Sequence, residues 1–212
     1  TSAQKAVSIV RSMVRETLKK EVSRQVLVDA PSMASITETL CEFVPKMSAK
    51  DISDVIWGMG TLVRNRERTL SQVSDNVQTN YRDGGKSTFG DGDEEKLRDA
   101  LQALLQVSIT TFHKKVVPRR VENGEMKWKL SSVHLSKLLV GMGRLSGAGV
   151  TWSALSARDI HSAECVLELI HQGSLQGHLF GGKGQPLSNV LWSLAKLRVQ
   201  YWHLPASLQA AV

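Results

Sequence analysis

Apolar residues recur along most of this chain at helical rather than alternating spacing. Val10, Val14, Leu18, Val22 and Val26 follow every four residues, with Val7 and Met13 beside them, and predict one long helix from Ala3 to Leu27. Arg11, Arg15 and Lys19 line another face of it. Ile36, Leu40, Phe43 and Val44 predict a second helix over 33–46, and Ser48 is placed to cap a third over 50–63. Pro31 and Pro45 punctuate these elements. Leu97, Leu101, Leu104, Leu105, Phe112 and Val116 mark an amphipathic helix over 94–117, with acids in its first turn and His113, Lys114 and Lys115 in its last, as the helix dipole favours. Pro118 ends it and a basic loop runs to Lys129. Further helices fit 131–145, 156–172 and 186–198, with a Gly-rich connection over 177–184 and another helix starting near Pro205. No convincing alternating pattern is present, so the expected class is all-α.

Three of these helices align without a gap. Ile52-Ser-Asp-Val-Ile-Trp-Gly-Met-Gly-Thr-Leu62 superposes on Leu135-Ser-Lys-Leu-Leu-Val-Gly-Met-Gly-Arg-Leu145 and on Leu187-Ser-Asn-Val-Leu-Trp-Ser-Leu-Ala-Lys-Leu197. Apolar residues fall at steps 0, 3, 4, 7 and 10 of each copy, one stripe of a helix and the predicted buried face. Small residues flank the stripe: Gly58 and Gly60, Gly141 and Gly143, Ser193 and Ala195. Glycine inside a helix costs roughly 1 kcal/mol relative to alanine, so these positions predict close approach of neighbouring helices. An amphipathic helix precedes each copy (33–46, 94–117, 156–172), giving hairpins that bury their faces only against one another. The expected architecture is a short, irregular α-solenoid of stacked helical hairpins, with an ordinary bundle as the alternative. The copies begin at Ile52, Leu135 and Leu187, an irregular spacing accounted for by an insertion over Arg64–Asp93 and a longer Gly-rich turn before the third copy. Within that insertion residues 81–93, rich in glycine and carboxylates, are expected to be exposed and mobile. The organisation expected is a basic N-terminal helix over 1–28 and a helical-repeat domain over 29–212.

The third copy, followed by Trp202, Leu204 and Pro205, resembles the octotricopeptide repeat, and more loosely the heptatricopeptide repeats of FASTK-like proteins, whose run reads approximately Leu-Ala-Asn-x-Leu-Trp-Ala-Leu-Ala-Lys-Leu-Gly. The first copy keeps Trp57 but has Gly-Met-Gly in place of Ala-Leu-Ala, and the second has Val140 in place of the Trp. The RAP domain often found in such proteins is not evident, which argues against a nuclease-like role. The resemblance implies an organellar RNA-binding protein, in mitochondria or alternatively chloroplasts. The favoured role is a structural or accessory subunit of a mitochondrial ribosome that contacts rRNA through backbone phosphates and neighbours other proteins of the complex; an mRNA processing or stability factor is the alternative.

Charge agrees with a polyanionic partner. The chain has 27 Lys and Arg against 20 Asp and Glu, a net charge of +7, concentrated in residues 1–28 and 113–130. Hydrophobic content of 42% and charged content of 22% fit a folded globular chain rather than a disordered one. Cys41 and Cys165 stand alone, which predicts a reducing compartment and no zinc site. No apolar run is long enough to cross a bilayer, and the start at Thr1, without Met and without a signal-peptide core, reads as a processed, trimmed or partial chain. The first helix has the Arg-rich, acid-poor character of a targeting peptide, but its length and the Glu16–Lys20 pair favour a resident capping helix.

Candidate RNA contacts follow from the repeat. The third and tenth positions, Asp54 and Thr61, Lys137 and Arg144, Asn189 and Lys196, lie on one line roughly opposite the buried stripe, and an exposed polar row on stacked helices is what a modular RNA reader needs. Asp54 would repel phosphate, so the later two copies and the adjoining Arg198 are preferred. Arg64, Arg66 and Arg68, read as leaving the first repeat helix, and Lys114, Lys115, Arg119 and Arg120 around Pro118 supply phosphate-binding charge. Trp128 and Trp152 are candidates for base stacking or for packing against the fold. Each set could instead be a solvated face, and the same groove could take a partner helix, making the chain a protein-binding scaffold. Nothing points to an enzyme or a cofactor. Gly84-Gly-Lys-Ser87 lacks the upstream glycine and preceding strand of a phosphate loop, and Gly181-Gly-Lys-Gly184 reads as a turn. His161, Glu164, Glu168 and His171 have metal-compatible spacing, but helical hairpins scatter such residues often.

Overall fold

A computed structural model describes residues 2–20, 29–78, 91–117, 119–120, 126–127, 129–175, 185–204 and 206–209. The protein is all-α. Its helices are α1 (Ser2–Lys20), α2 (Ala30–Phe43), α3 (Ala49–Gln78), α4 (Asp91–Val116), α5 (Ser132–Leu145), α6 (Trp152–Arg158), α7 (Ile160–Leu175), α8 (Gln185–Lys196) and α9 (Ala206–Gln209). The segment expected as a basic loop after α4 contains a minimal antiparallel ladder, β1 (Arg119–Arg120) on β2 (Met126–Lys127).

Local chemistry sets the helix ends. The Asp29 side chain accepts from the Ser32 backbone amide at 2.7 Å, with Pro31 in the first turn of α2. Ser48 and Asp51 form a reciprocal cap on α3: the Asp51 amide donates to Ser48 Oγ at 3.2 Å and the Ser48 hydroxyl to Asp51 at 2.7 Å. Helix α8 closes with the Arg198 amide bonded to the Ala195 carbonyl and the Val199 amide to Leu194, a Schellman arrangement that holds Arg198 at φ 59. Glycine ordinarily occupies that position, because a β-carbon is strained there.

The helices form two rows. In one, α1 packs on α3, α3 on α5 and α5 on α8; in the other, α2 packs on α4 and α4 on α7, and α3 contacts α4 across the rows. Between them lies one core, and the repeated stripe is in it: Ile52, Val55, Ile56, Met59 and Leu62 are buried, as are Leu135, Leu138, Leu139, Met142 and Leu145, and Val190, Leu194 and Leu197. The expected close approach is borne out at Gly60, Gly141 and Gly143. A β-carbon on Gly60 would fall 2.5 Å from the Gly141 carbonyl oxygen, one on Gly141 would fall 2.5 Å from the Ile56 carbonyl oxygen, and one on Gly143 would fall 2.8 Å from Ser193 Cα. The ninth position of each repeat helix thus abuts the seventh position of the next, backbone against backbone.

Several boundaries differ from those expected. Helix α3 does not stop at Val63 but continues to Gln78, since no proline or glycine occurs between Val63 and Gly84 and Leu70 and Val73 extend the helical pattern. The helix expected over 156–172 is two, broken at Asp159 between α6 and α7. The N-terminal helix is described to Lys20 and packs on α3 through Ala3, Ala6, Val7 and Val10. Residues 21–28, the expected mobile stretch over 81–90, the Gly-rich connection over 177–184, and Trp128 lie outside the described residues, whereas 91–93 are the first turn of α4. Among the described residues no helix is long and apolar enough to cross a membrane.

Candidate nucleic-acid interface

The third and tenth repeat positions do not form a solvent-facing row. Asp54 and Thr61 are buried, and they receive their counterparts from the next repeat helix: Lys137 Nζ donates to Asp54 at 2.6 Å and Arg144 to Thr61 Oγ1 at 2.6 Å. Both pairs span the same separation of 83 residues, so like position meets like position between α3 and α5. Arg11 of α1 closes on Asp54 from the other side. Burial alone would raise the Asp54 pKa, but the hydrogen bonds and charges of Lys137 and Arg11 outweigh it and hold the carboxyl below its ordinary value. Between α5 and α8 the link is neutral, Asn189 Nδ2 donating to Ser136 Oγ at 2.8 Å. The physical reason is the row itself. A helix flanked on both sides has a buried arc far wider than its apolar stripe, and its polar residues serve the flanks.

Arg64, Arg66 and Arg68 are not beyond the repeat helix but within α3. Arg66 is buried and its guanidinium is bound by Glu94 of α4, one hydrogen bond at 3.0 Å and a second, shorter one beside it. Arg64 is half-buried and Arg68 exposed, and both charges are felt by Arg144. Arg144 is half-buried over the Trp57 ring, 5.4 Å from its centroid, and burial lowers its pKa with further pushes from Arg64 and Arg68. Lys196 is exposed at the last turn of α8, 6.0 Å from the Trp192 ring centroid, and exposed Arg198 follows it. One edge of the row therefore gathers Arg64, Arg68, Arg144 and Lys196 from three successive repeat helices. The Glu67 carboxyl, felt by Lys196 and Arg66 and lying against the Gly147 backbone, has its pKa raised by burial. The charges of Lys196 and Arg66 act the other way and favour its ionised form.

The remaining candidates lie apart from this edge. Lys114 is exposed and Lys115 half-buried at the end of α4, in the other row; Arg119 and Arg120 are in β1, and their side chains are not described. Lys137 and Asn189 spend polar atoms between helices. Trp152 is buried at the start of α6, its amide bonded to the Leu197 carbonyl at 3.1 Å, so it packs and is not available for stacking. His161 lies 3.9 Å from Glu164, and His113 Nε2 lies 2.7 Å from Glu168; among the described residues no three such groups converge on a metal position. Cys165 is buried, with its pKa pushed up to about 11 by desolvation, and Cys41 is half-buried.

No protein-family model, no curated protein and no solved structure matches this chain. The reading therefore rests on the basic edge. Sequence reasoning named its cations but scattered them over separate segments. Their convergence depends on α3 running past Val63, and the signal for that was the lack of a breaker there. Sequence reasoning missed the Lys137–Asp54 and Arg144–Thr61 pairs, although opposite charge at the third position of aligned copies was a cue.

Proposed function

We propose that this is an RNA-binding helical-repeat protein, an α-solenoid of stacked hairpins that acts as a structural subunit of an organellar ribonucleoprotein, most simply a mitochondrial ribosome. The observation that carries the reading is the basic edge: Arg64, Arg68, Arg144, Lys196 and Arg198 stand at one side of three consecutive helices, and Arg144 feels the like charges of Arg64 and Arg68. Crowded cations at an exposed edge are stabilised by a polyanion. Arg198 adds a second support, since it keeps an arginine in a left-handed conformation where glycine would be less strained. With Asp54, Thr61, Lys137 and Asn189 of the repeat row spent between helices, recognition falls on phosphates and RNA shape. The resemblance of the third copy to the octotricopeptide repeat supports the organellar setting. The use of the polar row between helices favours a second reading, a protein-binding scaffold with an incidental basic edge.

Two measurements test this. Affinity of the full chain for a fluorescent 30-nucleotide polyuridine, titrated against salt, should give a log–log slope of about −3.5, at roughly 0.7 per phosphate for five cations on single-stranded RNA. The triple variant R64A/R68A/K196A should lower that slope by about 2 with an unchanged circular dichroism spectrum. Crosslinking in a fractionated organelle extract should recover rRNA with ribosomal sedimentation; scattered mRNA ends would favour transcript processing. A flat salt response together with no crosslinked RNA would overturn the reading in favour of the scaffold.

A further inference from the structure

Beyond α8 the chain builds a platform that the fold itself does not use. A single 3-10 turn, Tyr201–His203, carries three consecutive rings, all exposed. Among the described residues Trp202 is the large apolar side chain most open to solvent, at 69%, and Tyr201 is 53% exposed. A large apolar ring left in water is unfavourable unless a ligand covers it. The turn is held in place. Val199 and Leu204, on either side of it, pack against the core. The His203 amide is bonded to the Gln200 carbonyl at 2.9 Å and the Leu204 amide to the Tyr201 carbonyl at 3.0 Å. Gln209 Nε2 donates to the carbonyls of Tyr201 and Leu204 at 3.2 and 2.9 Å, and the Tyr201 hydroxyl donates to the Gln209 carbonyl at 3.0 Å. Tyr201 is thereby spent on the turn, and the Trp202 ring, edge-on to His203 at a centroid separation of 6.2 Å, stands on a fixed backbone.

Charge complementarity selects the occupant. Residues 169–212 contain no Asp or Glu, while Lys196 and Arg198, both exposed, stand six and four residues before Trp202. The carboxylate that bears on this end is Glu67 of α3, which feels Lys196. Four residues span at most about 14 Å, so a cation and an open ring lie within the reach of neighbouring nucleotides on one strand. We propose that Trp202 stacks on an unpaired base of single-stranded RNA whose phosphates are met by Arg198 and Lys196. The contact rests on the RNA reading above and adds to it a demand for an unpaired strand. A ring face accepts any base, so stacking here is sequence-tolerant and consistent with recognition through phosphates and shape, whereas a base inside a duplex cannot reach the ring.

The test compares the full chain and its variants on two fluorescein-labelled probes, the 30-nucleotide polyuridine and an RNA duplex of the same length, by anisotropy across a salt series. W202A should weaken binding of polyuridine about tenfold and of the duplex less than about twofold. It should leave the polyuridine salt slope unchanged, because no phosphate contact is lost, and leave the thermal melt unchanged, because the ring is exposed. W202F should recover most of the lost affinity. Polyuridine binding indifferent to W202A, an equal loss on strand and duplex, or a lowered melt in W202A would overturn the proposal. The first of these, with the salt slope of the parent chain intact, leaves the RNA reading standing without a stacking site and gives the ring to a protein neighbour. No salt-dependent binding of either probe by the parent chain would take down the RNA reading and the stacking site together.

Discussion

Replacing Arg198 by glycine sets stability and binding against each other. Arg198 holds φ 59 at the end of α8, with the Val199 amide reaching Leu194 at 2.9 Å and the Arg198 amide reaching Ala195 at 3.1 Å. A non-glycine residue in the left-handed region costs roughly 1–2 kcal/mol. Glycine gives back roughly 0.5–1 kcal/mol through the extra freedom of its unfolded chain. The net expectation for R198G is a gain of about 0.5–1 kcal/mol, which for a chain of this size raises Tm by about 1–4 °C. The side chain is exposed beside Lys196, so, if the basic edge binds RNA as proposed, its loss should also reduce the salt slope for polyuridine by about 0.7. Differential scanning calorimetry and anisotropy on the same preparation read both. A lower Tm would mean that the arginine side chain holds the turn. A raised Tm with an unchanged slope would mean that the strain is unrelated to RNA.

Other expectations concern the row. G141A should destabilise the protein by about 1–3 kcal/mol in urea unfolding despite better helix propensity, since its β-carbon meets the Ile56 carbonyl oxygen at 2.5 Å; G92A, with nothing within 4 Å, should be neutral or stabilising by up to about 1 kcal/mol. A D54N/K137M double-mutant cycle should give a coupling of about 1–3 kcal/mol, because the acceptor is buried. Asp54 is held below its ordinary pKa in the folded state, so its contribution is present above the unfolded carboxylate value, near 4, and is lost as pH falls through the folded one. In D54N the acid limb of a stability-against-pH curve should therefore flatten. Cys165, with its thiol pKa near 11, should react with an aromatic disulfide at pH 8 only as fast as the protein opens, whereas half-buried Cys41 should react faster. Equal rates for the two thiols would contradict the burial described.

Much of this was legible in the sequence, for reasons of different strength. The apolar stripe of each repeat copy was readable because one helix's own period carries it, and Gly60, Gly141 and Gly143 announced backbone contact because glycine inside a helix needs a reason. The direction of Asp54 and Thr61 was not readable from one helix. Period alone places them opposite the stripe, but only a row with α1 on one side of α3 and α5 on the other turns that direction into an interior. The fate of Arg66 was hidden likewise, since Glu94 comes from α4, across a stretch that no local pattern connects to α3. Trp152 and Trp192 illustrate the two outcomes of one residue type: the first is buried and tied to the end of α8, and the second keeps part of its surface exposed while its ring lies against Gly143 of α5.

The equal spacing of the Lys137–Asp54 and Arg144–Thr61 pairs also bears on the order in which the chain assembles. Both join residues 83 apart, whereas the Asn189–Ser136 link joins residues 53 apart. Closing the longer loop costs only about 0.4 kcal/mol more, because closure entropy grows with the logarithm of length. A long excursion between α3 and α5 is thus almost free at equilibrium. The same logarithm makes the shorter closure only about twice as fast, so the α5–α8 pairing should lead the α3–α5 pairing only slightly. Pulse-labelled hydrogen exchange should then find the amides of α3, α5 and α8 protected nearly together, as expected of a row that closes as one unit.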